Sequence, residues 1–311
     1  MEGELTVAKV KQVIFSAAAN HGIRDVGPFL QSAAKHVPGS RAFLLLYPKD
    51  LGRSEALEIR KSGTGVDFLL APRWGRRIRP WVHRLAVALR LHRRPYETTP
   101  PRIRLFFRGA LHITVERFLS ALDFAEQHGG DYESLMISDS RDVIFQADPF
   151  SLGKGRILTG EEAVCFPDPE TNGPWYRRFY GENGCARLAG KPVLCSGLTF
   201  GPADKMKAYL AAMAGEIWRQ LPRLGPDIYC DQGIHNHVIR EQGAPVEPTP
   251  SGEGIIATVG MMDPQRLRCS ATSGLVEVDG KKPALLHQYD RHPMLASELR
   301  GAGGGLVARR F

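Results

Sequence analysis

Short apolar runs at residues 12–17, 42–47 and 66–70 alternate with segments of helical spacing, and no other feature constrains the fold as tightly. Between the first two runs, Phe29, Leu30, Ala33 and Ala34 fall on one face of a helix over residues 26–37. Residues 51–61 predict a second helix. Alternation of strand and helix builds parallel sheets, because a parallel pair needs a crossover long enough to carry a helix. Helices then cover both sheet faces. The pattern continues with a helix at 113–128, strands at 133–138 and 193–200, and helices at 203–221 and 231–240. Short strands are expected at 156–158, 163–166, 255–259, 275–278 and 284–287, the last two paired across the turn Asp279-Gly280. Residues 172–180, rich in aromatics and Arg, read as irregular, and the glycine-rich residues 300–311 predict a flexible tail. The expected class is α/β, with a mixed, mainly parallel sheet flanked by helices.

The most informative stretch is residues 134–150, SLMISDSRDVIFQADPF, where an apolar strand runs into Asp139-Ser140-Arg141-Asp142. In open parallel sheets ligands gather at the carboxyl ends of the strands. Two carboxylates three residues apart at such a place repel each other and resist burial unless a positive charge joins them. A divalent cation held through one or both, with water and phosphate oxygens at its other positions, meets that need. The alternative is a capped turn in which Arg141 neutralises one acid.

The segment Asp139-Ser140-Arg141-Asp142-Val143-Ile144-Phe145-Gln146 resembles the DxD region of metal-dependent glycosyltransferases with the Rossmann-like GT-A fold. It is most similar to the family containing glycogenin and bacterial galactosyltransferases. Aligned on Phe145-Gln146, Asp142 takes the place of the second motif Asp and Ser140 that of the first. Asp139 then supplies the other carboxylate from one residue earlier, and its role stays open between the metal, the ribose and both. Further segments carry the resemblance. Residues 12–20 are similar to the opening strand and loop of the nucleotide pocket, which implies donor contacts at Ala17, Ala18 and Asn20. Cys195-Ser196-Gly197 resembles the NSG strand that lines the sugar pocket, with Cys195 in place of the usual Asn. Asp231-Gln232, followed by Asn236, resembles a helix start whose Asp lies near donor sugar and acceptor. Residues 286–291, LHQYDR, are similar to the late His-containing segment that completes the metal site.

The resemblance implies transfer of a hexose from a nucleoside diphosphate sugar to a glycan, lipid-linked or protein acceptor. Residues 1–150 would form the donor-binding half, with residues 73–108 inserted in it, and residues 151–299 the acceptor-binding, metal-completing half of the same domain. Asp139, Asp142 and His287 would hold Mn²⁺ or Mg²⁺, the imidazole favouring Mn²⁺ over an all-oxygen Mg²⁺ site. Ser138, Ser196 and Gly197 would line the donor pocket. Asp231, with Gln232, would orient the acceptor in a retaining reaction, the expected course, or deprotonate it in an inverting one; a helix cap is the plainer reading. Arg117, on the helix before the metal strand, either reaches the donor or lies on the surface. Arg291 either binds the departing phosphate bidentately or pairs with Asp290. Trp175 and Tyr176 form an acceptor wall on which sugar faces stack, or they pack in the core.

Charge decides between partners. The 311 residues sum to +8, yet eleven Arg and a single acid, Glu97, fall within residues 73–108, so the rest of the chain is close to neutral. That distribution argues against a uniform nucleic-acid coat, and no nucleic-acid partner is expected. It suits an anionic membrane surface, a phospholipid-linked acceptor or an acidic glycan. Two rivals remain at this level: a binding module with no chemistry, built on the Arg-rich span, and a nucleotidyltransferase of related fold. The latter wants a cationic, glycine-rich loop after the first strand, where Ala17-Ala18-Ala19-Asn20 carries no cation. The five Cys form no CxxC pair, no Asn lies in a glycosylation sequon and no run has membrane length. A cytoplasmic protein, peripheral at a membrane through residues 73–108, is expected.

Overall fold

The first four strands run parallel: β1 (Val10–Ala17), β2 (Arg41–Leu46), β3 (Val66–Leu70) and β4 (Tyr132–Asp139), in the spatial order β3-β2-β1-β4. The structure, a computed structural model, describes residues 10–50, 65–270 and 274–299. The helix expected at 51–61 and the tail at 300–311 lie outside these residues. β1 is buried on both faces, which explains its continuous apolar run. Val13 and Phe15 face one core, while Ile14, pointing the other way, packs in a second core with Phe29 and Leu30 of α1 (Ile23–His36).

The Arg-rich span is built into the first core. α2 (Arg79–Ala88) and α3 (Pro101–Arg108) follow β3. Val82, Ala86, Leu91, Tyr96 and Phe107 from this span are buried there beside Phe118 and Leu122 of α4 (Ile113–His128). After β4 come β5 (Val143–Phe145), the short α5 (Pro149–Gly153) and β6 (Ile157–Cys165), one continuous strand where two short ones were expected. Residues 172–180 are helical, not irregular: α6 covers Asn172–Arg187, interrupted at Gly181 by a φ of 70°. The Asp168 carboxylate starts this helix by accepting from the backbone N–H of Thr171 at 3.0 Å and of Asn172 at 2.6 Å.

β7 (Pro192–Pro202), α7 (Ala203–Arg219), α8 (Asp231–Arg240) and β8 (Val246–Thr249) complete the large sheet, whose order is β3-β2-β1-β4-β7-β6-β8. β7 is antiparallel to both neighbours and β8 is parallel to β6, so the sheet is mixed and mostly parallel, with helices flanking it. β9 (Ile256–Thr258), β10 (Leu267–Cys269), β11 (Val276–Val278) and β12 (Leu285–His287) follow. The hairpin expected between the last two strands does not form. β11 pairs with β10, and the Asp279-Gly280 turn leads only to a single bridge from Val278 to Lys281. Both edges of β12 are already used, one by β5 and the other by β9. No helix among the described residues is long and apolar enough to cross a membrane.

Candidate metal centre and adjoining cleft

β1 is followed on one side by β2 and β3, whereas β4 leads on the other side to β7 and β6. The carboxyl ends of β1 and β4 therefore border the crevice where the strand order reverses. Asp139 is the last residue of β4 and lies level with Ala17 of β1. The Ser140 hydroxyl donates to the Ala17 carbonyl at 2.8 Å and anchors the turn that follows. That turn delivers Asp142 to the start of β5. β5 pairs antiparallel with β12, placing Val143 opposite His287, and the Gln288 N–H donates to the Asp142 carbonyl at 2.8 Å. This pairing brings the late His to the acid cluster. His287 Nε2 lies 3.4 Å from Asp139 Oδ2 and 3.6 Å from Asp142 Oδ1.

These three side chains could hold a metal ion, because one ligand atom from each lies within 4.8 Å of the others. Two further observations fit a cation. His287 is fully buried, and its Nε2, turned to the two carboxylates, makes no hydrogen bond. Gly197 on β7 leaves room for the convergence, since a Cβ there would collide with His287 and Asp139. The second ring nitrogen, Nδ1, lies 3.5 Å from Cys195 Sγ. Two carboxylates and one imidazole form a borderline set that accepts Mn²⁺ readily.

The electrostatics are uneven. Burial disfavours the Asp139 anion, but Arg117 and His287 outweigh it and hold this carboxyl well below the usual range. Asp142 is raised: burial leads, His287 counters only part of it and Asp139 adds repulsion. Burial also opposes charge on His287, yet the Cys195 sulfur and the Asp142 and Asp139 carboxylates lift it well above the usual imidazole value. Without a cation, the cluster thus retains a proton to offset its charge.

Arg117 is buried and bridges two acids. One Nη donates to Asp139; the other donates to Asp231 Oδ2 at 2.8 Å and to the Ser196 carbonyl at 3.1 Å. Asp231 is the first residue of α8, but its carboxylate does not cap the helix. It turns instead to Arg117 and to the Ser196 hydroxyl, 3.0 Å away, and burial raises its carboxyl despite Arg117. Gln232 accepts from the Ser196 N–H at 3.2 Å and donates to Glu162 at 3.1 Å and Asn172 at 2.6 Å. Asn236 receives the Leu194 N–H at 2.9 Å and donates to the Leu194 carbonyl at 2.8 Å, imitating a neighbouring strand. The start of α8 is thereby fastened to β7.

These groups wall a cleft of about 520 Å³. Arg117, Ser196, Gly197, Asp231, Gln232 and Arg291 line it together with Asp139 and Asp142. Arg291 is exposed, and Asp290 pairs with Arg141 at 3.2 Å. Trp175 reaches the cleft, its ring edge-on to Tyr229. Tyr176 does not: it is fully buried against Phe166 and Tyr180, with its hydroxyl 3.2 Å from His237 Nδ1. Neighbouring residues on a helix point about 100° apart, so only one of the pair faces the cleft. Ala17, Ala18, Asn20 and Ser138 do not line the cleft either. Ala17 offers its carbonyl to Ser140, and Ala18 is fully buried. Exposed Asn20 accepts from Lys49, while Ser138 is buried and donates to the Asp139 carbonyl at 2.7 Å.

Sequence reasoning missed the opposite wall. Glu162, Asp168 and Asn172 give it a second acidic group, and Tyr229 and His112 contribute rings. Asp168 carried a readable signal, an Asp-Pro pair just ahead of a helix start; Glu162, an isolated acid in a strand, carried none. Five carboxylates face three Arg in the cleft, so an anionic ligand needs a cation to enter it. No protein-family model matches the chain, and no curated protein matches it significantly.

Proposed function

We propose that this protein is a metal-dependent glycosyltransferase of the GT-A type, moving a hexose from a nucleoside diphosphate sugar to an acceptor bound in the cleft. The observation that carries the reading is the convergence of Asp139, Asp142 and His287 at the crevice where the strand order reverses. The mixed sheet, with its antiparallel β7 entering beside β4, supports it. Bound to these residues, Mn²⁺ or Mg²⁺ would supply Lewis-acid neutralisation of the departing diphosphate.

The chain's own groups do the rest. Arg117 neutralises Asp139 and Asp231 and fixes their separation. Ser196, held by Arg117, Asp231 and Gln232, presents a rigid strand edge to the sugar. Asp231, held through Oδ2 by Arg117 and Ser196, is fixed in place to orient the acceptor. Arg291 at the rim meets the donor phosphates, and Trp175, braced edge-on by Tyr229, offers the acceptor an aromatic ring.

The test is a panel of nucleotide sugars with and without Mn²⁺. Metal-dependent release of nucleoside diphosphate, lost in Asp142→Ala, supports the reading. Turnover that survives in Asp142→Ala, or release of pyrophosphate instead, overturns it.

A further inference from the structure

Of the twelve large apolar side chains exposed among the described residues, seven belong to the Arg-rich span: Ile78, Trp81, Leu85, Leu89, Ile103, Leu105 and Phe106. Trp81 is 69% exposed. Ile78, Trp81, Leu85 and Leu89 follow the three- and four-residue spacing of one helix side, alongside the strip of Val82 and Ala86 that enters the core. A single exposed Leu is ordinary; a strip of four, with Leu105 and Phe106 also exposed in the same span, marks a contact surface.

The eleven Arg of this span divide into two groups. Arg79 donates to the Ala110 and Leu111 carbonyls, Arg108 is buried against Glu116, and Arg104 lies over the Tyr96 ring at 4.5 Å. Arg79 and Arg108 hold the span to the body, and Arg104 braces it from within. The other eight are exposed, among them Arg76, Arg77, Arg84, Arg90, Arg93 and Arg94, and Glu97 is the single acid within residues 73–108.

We propose that this face docks on an anionic lipid bilayer. Trp81, Leu85 and Leu89 enter the boundary between headgroups and acyl chains, and the exposed Arg meet lipid phosphates. The two halves of the surface select this occupant together. A nucleic acid would satisfy the Arg but leave the apolar strip in water, and a second copy of the chain would set Arg against Arg. Arg79 also pairs with Asp227 at 3.3 Å, two residues before the cleft residue Tyr229, so docking holds the cleft next to the membrane surface. The inference does not depend on the reaction proposed above.

The experiment is co-sedimentation of the full chain with vesicles of phosphatidylcholine, alone or mixed with phosphatidylglycerol. Binding to the mixed vesicles only is expected. Trp81→Ser/Leu85→Ser should weaken it more than tenfold, and this loss should persist at high salt. Each of Arg84→Gln and Arg90→Gln should weaken it about fivefold at low salt. All four side chains are exposed, and unchanged melting temperatures confirm that the variants fold. Equal binding to neutral vesicles, or no loss in Trp81→Ser/Leu85→Ser, overturns the proposal. So does a dimer in sedimentation that this double variant dissolves, or duplex RNA binding that it leaves intact.

Discussion

Gly197 packs directly against the ring of His287, leaving no space for a side chain between β7 and the acid cluster. The candidate metal centre therefore depends on an atom that is absent. Gly197→Ala should keep the sheet, because the φ of Gly197 is not in the left-handed region, but should push His287 and Asp139 apart. Mn²⁺ affinity should fall about ten- to hundredfold, the range seen when the surroundings of a ligand are disturbed. Isothermal titration measures this, with circular dichroism as the control for folding. Wild-type affinity in the variant would remove Gly197 from the account.

Asp142 costs the metal-free fold stability, since burial and the neighbouring Asp139 both raise its carboxyl. Asp142→Asn should melt no lower than the wild type in chelator. At saturating Mn²⁺ the order should reverse, because only the wild type gains stabilisation from the ion, about 2.7 kcal/mol at a hundredfold excess over Kd. Scanning calorimetry with and without Mn²⁺ separates the two effects.

The pH dependence follows from His287. Its folded value is raised, so it stabilises the metal-free protein fully below the unfolded imidazole value of about 6.5, and this is lost as pH rises through the raised value. Metal binding must displace that proton. Mn²⁺ affinity should rise about tenfold per pH unit above neutrality until the raised value is passed, then level. Titrations in buffers of different ionisation enthalpy count the released proton. Flat affinity over this window would show that His287 is not a ligand.

Arg117 is the buried charge that bridges half-exposed Asp139 and buried Asp231. Arg117→Met should destabilise the fold by about 3–5 kcal/mol, the usual effect of stranding a buried partner. Adding Asp231→Asn should restore much of it by removing one stranded charge. Urea unfolding of the two variants tests this, and an unimproved double variant would mean that Arg117 acts through packing alone.

Much of the fold was legible because β1, β2 and β4 are buried on both faces, which writes them as unbroken apolar runs, and because α4 has sharp ends at Ile113 and His128. Asp139 and Asp142 stood out as charge directly after such a run, with a turn neutralised by Arg141 as the open alternative; Arg141 pairs with Asp290 instead. The partner of β12 was not. Asp279-Gly280 signals a local hairpin, whereas β5 and β9 claim β12 through pairings that no local pattern encodes. α6 was hidden because its aromatics serve two surroundings, Tyr176 the core and Trp175 the cleft. The division of the Arg-rich span was hidden too, since the partners that bury Arg79 and Arg108 come from other elements, at Asp227 and Glu116.

The pairing of β5 with β12 also sets the order in which the protein can mature. During synthesis β1 to β4 emerge before β12, so Asp139 and Asp142 leave the ribosome well ahead of His287. Throughout that interval Asp139 has Arg117, from the helix just before its strand, as its counter-ion. The nascent acid cluster is thus balanced from within and lacks its third ligand. A chain stopped short of β12 lacks His287, so an ion held by all three side chains could be taken up only after β12 has paired with β5.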